Sequence, residues 1–309
     1  MRAAFGLPLA LFTVACGNAE PLGSARQAIF AGTLAPDDTS VVAVVNFAGG
    51  QCSGSLLAPR LVLTARHCVA DTAGEELKVL CGKTLFEPPD SPGAIFVVPK
   101  PEITEDPKDY VAVSEIRMPE ELSDDLCGTD VVLLRLKEPQ VDLTPLPLRL
   151  DQPVEPGEAY SAVGFGVDES LEDRPSSVRK RGEGYEITCH GAGCRARDIL
   201  ENEWVGSGGP CSGDSGGPAF DADGRIIGVV SRGQSGCTEP VFSDVSSRAA
   251  WLSAEIAAVT EPEPEPEPEP KDDGPAKSCT LSRAPRFGIS SWLFLTGLGL
   301  GLLRRYRQR

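Results

Sequence analysis

The chain has 309 residues, 41% apolar content and a formal net charge of −16. Such a length and apolar fraction support one large or two medium domains with a real core, which excludes a wholly disordered chain. The acidic balance argues against nucleic acid as a partner, because phosphate contact needs a basic surface.

In chain order, Arg2 precedes an apolar run from Ala3 to Ala15, the pattern of a short secretory signal over residues 1–15. Short β-branched runs follow at Val41–Val45, Leu61–Leu63, Val131–Leu136 and Ile226–Val230, separated by Gly- and Pro-rich turns. That pattern predicts an all-β barrel or sandwich. Ser246–Val259 places apolar residues three and four apart and predicts one helix. The linker over 260–278 holds a Glu-Pro repeat, Glu261–Pro270, which predicts an extended spacer of about 30 Å. Last comes the apolar run Phe287–Leu303, at the short limit of a membrane span. The terminal arginines Arg304, Arg305, Arg307 and Arg309 orient its end inward.

The chemistry is carried by three separated strings. Residues 211–218 read Cys-Ser-Gly-Asp-Ser-Gly-Gly-Pro, with glycines that let the backbone turn sharply at Ser215. A serine hydroxyl becomes a useful nucleophile only when a base takes its proton and donors meet the resulting oxyanion. The amides of Gly213 and Ser215 are the candidate donors. The chain has two histidines. His67 follows the apolar run Leu61–Leu63 beside Cys68, whereas His190 sits in Cys-His-Gly-Ala-Gly-Cys, a polar loop without an apolar strand to fix it. Asp130 precedes Val-Val-Leu-Leu-Arg-Leu and is placed to orient an imidazole. Taken singly, the serine string reads equally as a loop, Asp130 as a turn cap and His67 as a core histidine; the three together do not. Ten cysteines point to an oxidising compartment. No Cys-x-x-Cys pair is present, so disulfides are read in preference to zinc, and eight cysteines between 29 and 259 allow 105 connectivities.

The order His67, Asp130, Ser215 with these flanking strings resembles the chymotrypsin/trypsin family of serine proteases. Ile29-Phe-Ala-Gly-Thr resembles the family's mature N-terminus, Cys52-Ser-Gly-Ser-Leu-Leu-Ala-Pro the strand before the histidine, and Gly228-Val-Val-Ser-Arg-Gly the substrate-binding strand. The resemblance covers residues 29–259. It implies two six-stranded antiparallel β-barrels with a C-terminal helix, and a serine endopeptidase working through an acyl-enzyme without metal or organic cofactor. It also implies a zymogen with a propeptide over 16–28, cut after Ala28, whose freed Ile29 ammonium pairs with Asp214. Cys52–Cys68 and Cys211–Cys237 are the disulfides the resemblance selects; Cys189–Cys194 closes a tight loop, leaving Cys81 with Cys127. Gly209 becomes the pocket floor, six residues before Ser215, and Ser231-Arg232-Gly233 the substrate-pairing strand. Arg232 stands where the family usually has tryptophan, and Pro240, beside Glu239, where a glycine is expected. A neutral pocket for small or apolar side chains follows.

The two ends carry separate resemblances. Leu-Phe-Thr-Val-Ala-Cys16 resembles a bacterial lipoprotein signal, although Thr13 departs from its usual leucine; ordinary signal cleavage is the other reading. Cys279, the apolar run and the arginine end resemble the surface-sorting signal of myxobacterial proteins over 279–309; a plain single-pass anchor is the alternative. The implied partners are protein or peptide substrates, an activating protease and a membrane, with the chain exported to a bacterial envelope. Two rival functions stand. One is a protease-like surface module that binds without cutting. The other is an esterase, since Gly213–Gly217 fits a Gly-x-Ser-x-Gly string, but a histidine ahead of the serine argues against it.

Overall fold

The computed structural model describes residue 29 and residues 32–47, 50–73, 79–120, 123–166, 177–194, 198–234 and 237–260. The secretory signal, the propeptide, the linker, the C-terminal segment and with them Cys16 and Cys279 lie outside the described residues. Among the described residues no helix is long and apolar enough to cross a membrane.

Among the described residues the fold is all-β, with two closed antiparallel barrels and one helix. Strand β1 (Thr33–Leu34) attaches to an edge of the second barrel. The first barrel begins with β2 (Val41–Asn46), β3 (Gly50–Ala58) and β4 (Leu61–Thr64). A two-stranded ribbon, β5 (Thr72–Ala73) with β6 (Leu85–Phe86), interrupts it. Strands β7 (Ile95–Val98), β8 (Val111–Arg117) and β9 (Val132–Leu136) complete it in the order β2-β3-β4-β9-β8-β7, closed by β2 on β7. The second barrel uses β10 (Ala159–Gly164), β11 (Lys180–His190), β12 (Glu203–Gly206), β13 (Pro218–Phe220), β14 (Ile226–Gln234) and β15 (Thr238–Asp244). Its order is β11-β10-β13-β14-β15-β12, and β11 pairs with β12 to close the ring.

The apolar runs read from the sequence are these strands. Val41–Val44 and Leu61–Leu63 are buried at every residue, which is why they show unbroken apolarity rather than alternation. One core cluster fills the first barrel and continues across the junction into Val163, Phe220, Ile226 and Val229 of the second. A second cluster centres on Tyr160, Tyr185, Trp204 and Phe242, with Trp204 and Phe242 stacked at 3.9 Å between ring centroids. Helix α1 (Ala249–Thr260) docks Leu252 into the first core. The predicted helix began at Ser246. Residues Ser246–Arg248 instead form a 3-10 turn, tightened where the Ser246 amide and the Ser247 hydroxyl both donate to Asp244.

His190 also departs from its reading. It is the last residue of β11, in register with Trp204, and its Nε2 lies 3.1 Å from Asp244 Oδ2. A strand does hold it. Gly191 and Gly193, inside the Cys189–Cys194 loop, masked that signal. Four disulfides close among the described residues: Cys52–Cys68, Cys81–Cys127, Cys189–Cys194 and Cys211–Cys237.

Candidate active site

His67 lies in the 3-10 turn Arg66–Cys68 directly after β4. The turn is held on one side by the Cys52–Cys68 disulfide. On the other, buried Arg66 donates to the Ser123 carbonyl and to Asp124, both at 2.9 Å, with its guanidinium 4.3 Å above the Phe86 ring. His67 thus has little freedom, while a quarter of its side chain (25%) stays open to solvent.

Asp130 comes to His67 from the loop before β9 and is fully buried. Its Oδ2 lies 2.8 Å from His67 Nδ1, and its Oδ1 accepts the His67 backbone N–H at 2.9 Å. The Ser231 hydroxyl donates to the same Oδ2 at 2.6 Å, and the Ser243 hydroxyl donates to the Asp130 carbonyl at 3.0 Å. Burial alone would push the carboxyl pKa up; the charge and hydrogen bond of His67, with the Ser231 hydroxyl and the His67 amide, hold it below the ordinary value. Burial likewise pulls His67 down, yet the charge and hydrogen bond of Asp130 leave it raised above 6.5. A carboxylate on Nδ1 fixes the tautomer with Nε2 as the proton acceptor. Cys52 and Cys68 lie near the ring, but their sulfurs are bonded to one another and offer no thiolate to a metal.

Ser215 arrives from the second barrel. Its carbonyl accepts the Ser53 N–H of β3 at 2.7 Å and lies 3.7 Å from Cys68 Sγ, which puts the serine loop against the histidine turn. The loop is tied down at Asp214, Gly216 and Gly217, whose amides donate to the carbonyls of Cys211, Val230 and Asp214. The Ser53 hydroxyl donates to the Gly213 carbonyl at 3.0 Å, turning that peptide. Gly213 has φ +93 and Gly216 φ +78, and a side chain at Gly216 would collide with Thr64 and the Ser53 backbone. Among the described residues, the Gly213 and Ser215 N–H groups donate to no protein acceptor, and no hydrogen bond joins Ser215 to His67.

Asp214 is buried beneath this loop, accepting from Gly166 N–H at 2.7 Å and Cys211 N–H at 2.9 Å. Burial pushes it up to about 7; the two amides and the charge of Lys180 pull the other way without prevailing. Ile29 is fully buried in the second core of this uncut chain, and its backbone N–H donates to the Gly209 carbonyl at 2.5 Å, not to Asp214.

The residues read from the sequence as a specificity pocket divide. Gly209 has φ +112, with the Tyr185 ring where a side chain would project. Cys211–Cys237 ties the serine loop to the β14–β15 hairpin, where Cys237 and Glu239 adopt positive φ (57 and 48) beside Pro240. Non-glycine residues there store strain of about 1–3 kcal/mol each. Arg232 turns inward, its Nη1 and Nη2 both meeting Glu203, with Nη2 to Oε2 at 2.9 Å. Gly233 follows it on β14. Sequence reasoning missed Ser53, Ser243 and Glu203 as partners of the site, and it named Ser231 for the substrate-pairing strand without its bond to Asp130. Ser53 and Ser231 lie inside motif strings, but nothing in a string announces what a hydroxyl will touch.

Residues 30–252 match the family model described as Trypsin. The chain is similar to a protein C activator of Agkistrodon piscivorus leucostoma, at 26% identity over 71% of this chain and 83% of the relative. It is also similar to the thrombin-like enzyme acutin of Deinagkistrodon acutus, at 25% identity over 72% and 92% of the two chains. Snake venom serine protease 3 of Protobothrops jerdonii is 29% identical over 72% of this chain and 84% of its own.

Proposed function

The chain belongs to the trypsin family of serine endopeptidases, and from that premise we propose that Ser215, His67 and Asp130 are its catalytic triad. The observation that carries this reading is the buried Asp130–His67 pair set against the Ser215 loop at the junction of two barrels. Ser215 Oγ attacks the scissile carbonyl while His67 Nε2 takes its proton. Asp130 keeps the ring in that tautomer and stabilises the imidazolium. The unpaired amides of Gly213 and Ser215 receive the oxyanion, worth about 3–4 kcal/mol per donor in such sites. His67 returns the proton to the leaving amine, and water then releases the acyl group. In the uncut apo chain the Ser215–His67 bond is not closed, in keeping with catalytic bonds that tighten only on substrate binding.

The same reading makes the full chain a zymogen. Among the described residues the hydrogen bonds to buried Asp214 come from two backbone amides, and the charge of Lys180 does not offset its burial; an under-compensated buried carboxylate costs on the order of 3–5 kcal/mol. Cleavage after Ala28 would free an ammonium at Ile29 to neutralise it. A pocket floored by Gly209 accepts small or apolar side chains. Export is supported by the four disulfides; a bacterial envelope and membrane attachment through residues 279–309 or Cys16 complete the reading.

A fluorophosphonate probe tests it. Protein processed to begin at Ile29 should label, Ser215→Ala should not, and the unprocessed chain should label far more slowly. Equal labelling of Ser215→Ala would sink the triad; equal labelling of processed and unprocessed wild type would sink the zymogen.

A further inference from the structure

Glu203, the first residue of β12, is fully buried, yet nothing in the reaction as described uses it. Its two oxygens carry four donors. Oε1 accepts the Gly128 N–H at 2.8 Å together with Arg232 Nη1, and Oε2 accepts the Leu200 N–H at 3.0 Å together with Arg232 Nη2 at 2.9 Å. A carboxylate has about four lone-pair sites, so this one is full. A glutamine there would turn an NH2 toward two of the four donors.

The donors themselves give the arrangement its meaning. Gly128 stands two residues before Asp130, in the loop that brings the carboxylate to His67. Arg232 directly follows Ser231, whose hydroxyl holds Asp130 Oδ2. Glu203 is in register with Ser243, whose hydroxyl holds the Asp130 carbonyl. The Gly128 carbonyl is pinned as well, accepting from Asn202 and from Arg248 Nη2 at 2.6 Å. Gly128 has φ +74, and a side chain on it would strike Asn202. The first barrel supplies Asp130, but three strands of the second barrel decide where it stands.

Resting on the triad reading, we propose that Glu203 is a positioning residue for Asp130, acting as a buried clamp that joins Gly128 to Arg232 and so fixes the carboxylate against His67. It follows that Arg232 serves this clamp with its charge neutralised inside the barrel, and does not recruit acidic substrate residues.

The test compares wild type with Glu203→Gln and with the double variant Glu203→Met/Arg232→Met, all processed. Glu203→Gln strands a buried guanidinium and two amides, and it risks folding poorly. Apolar replacement of both partners of a buried pair is commonly neutral or stabilising, so the double variant keeps the fold while removing the clamp. It also leaves net charge unchanged, so the other ionisable groups near this clamp (Arg248, Asp244 and His190) are left in place. In the folded double variant, kcat should fall on the order of 10- to 100-fold with little change in KM, the loss expected of a misplaced group. The acid limb of kcat/KM should move to lower pH as Asp130 loosens its hold on the imidazole. A folded double variant with wild-type kcat and acid limb would overturn the proposal and leave Glu203 as packing. So would a gain in KM for substrates with acidic residues at unchanged kcat. Wild type that fails to take a fluorophosphonate would instead overturn the triad reading underneath.

Discussion

At His67 two opposing effects meet, and charge wins. Burial favours the neutral ring, while Asp130 at 2.8 Å favours the imidazolium strongly enough to raise the pKa above 6.5. A general base must be neutral in the free enzyme, so kcat/KM should be lost as pH falls through that raised value. Replacing Asp130 by asparagine removes the charge and leaves the burial. The acid limb should then shift below its wild-type position, with kcat down on the order of 10,000-fold at neutral pH, as measured by a pH–rate profile on a peptide substrate. Asp214 has the opposite sign from a usual paired carboxylate. Its pKa in the uncut fold is raised to about 7, so the fold binds a proton that the unfolded chain releases near 3.9. The stability this protonated form contributes is full below about pH 4 and is lost as pH rises through about 7, by up to roughly 4 kcal/mol. Urea unfolding of uncut Ser215→Ala, with and without Asp214→Asn, isolates it: the difference between the two curves should fall from pH 4 to 7 and flatten above.

Among the elements, α1 separates burial from ion pairing on a single helix. Leu252 is fully buried in the first barrel's core, whereas Glu255 one turn on clasps Arg117 of β8 at 2.7 and 3.0 Å near the surface. Arg117 is 41% exposed, so solvent screens the pair and its worth is at most about 1 kcal/mol. Leu252→Ala should cost about 2–5 kcal/mol by lost burial and a cavity. In thermal melts the leucine variant should therefore fall well below the glutamate variant, and a reversed order would mean that α1 is held by charge. Element legibility followed the same physics. Val41–Val45 and Leu61–Leu63 were readable because a strand buried on both faces is a plain apolar run. His190 was not, because its strand ends among glycines and cysteines, and the partner that fixes it, Asp244, is 54 residues away.

For the whole molecule, the sequence carried what is local and hid what is assembled. His67, Asp130 and Ser215 each sit in a contiguous string whose local chemistry is visible. Glu203 reads as an ordinary acid at a strand start, since two of its three partners, Gly128 and Arg232, lie 75 and 29 residues away and only barrel closure joins them. Arg179 is the other residue that only assembly explains. It is a cation with 1% exposure and, among the described residues, no carboxylate at bonding distance. Its guanidinium donates to the carbonyls of Ala35 (2.8 Å), Val41 (2.7 Å) and Pro36 (2.9 Å), the segment that carries the chain from β1 on the second barrel to β2 in the first. Burial pulls its pKa down, with the charges of Asp38 and Asp37 opposing. Arg179→Ala would take the donor from the buried Val41 carbonyl, at about 1–3 kcal/mol, and would leave the Ala35 carbonyl with only the Asp38 amide at 3.4 Å. An ammonium has the charge without the planar fork, so Arg179→Lys should recover only part of the loss. Because no bond links Arg179 to Asp130 or the serine loop, the damage should appear in stability and not in chemistry. Melting temperature should fall in the order wild type, lysine, alanine, while the folded fraction of each labels with fluorophosphonate at the wild-type rate; a slowed rate at unchanged melting temperature would mean that this junction sets the site and not merely the join between the barrels.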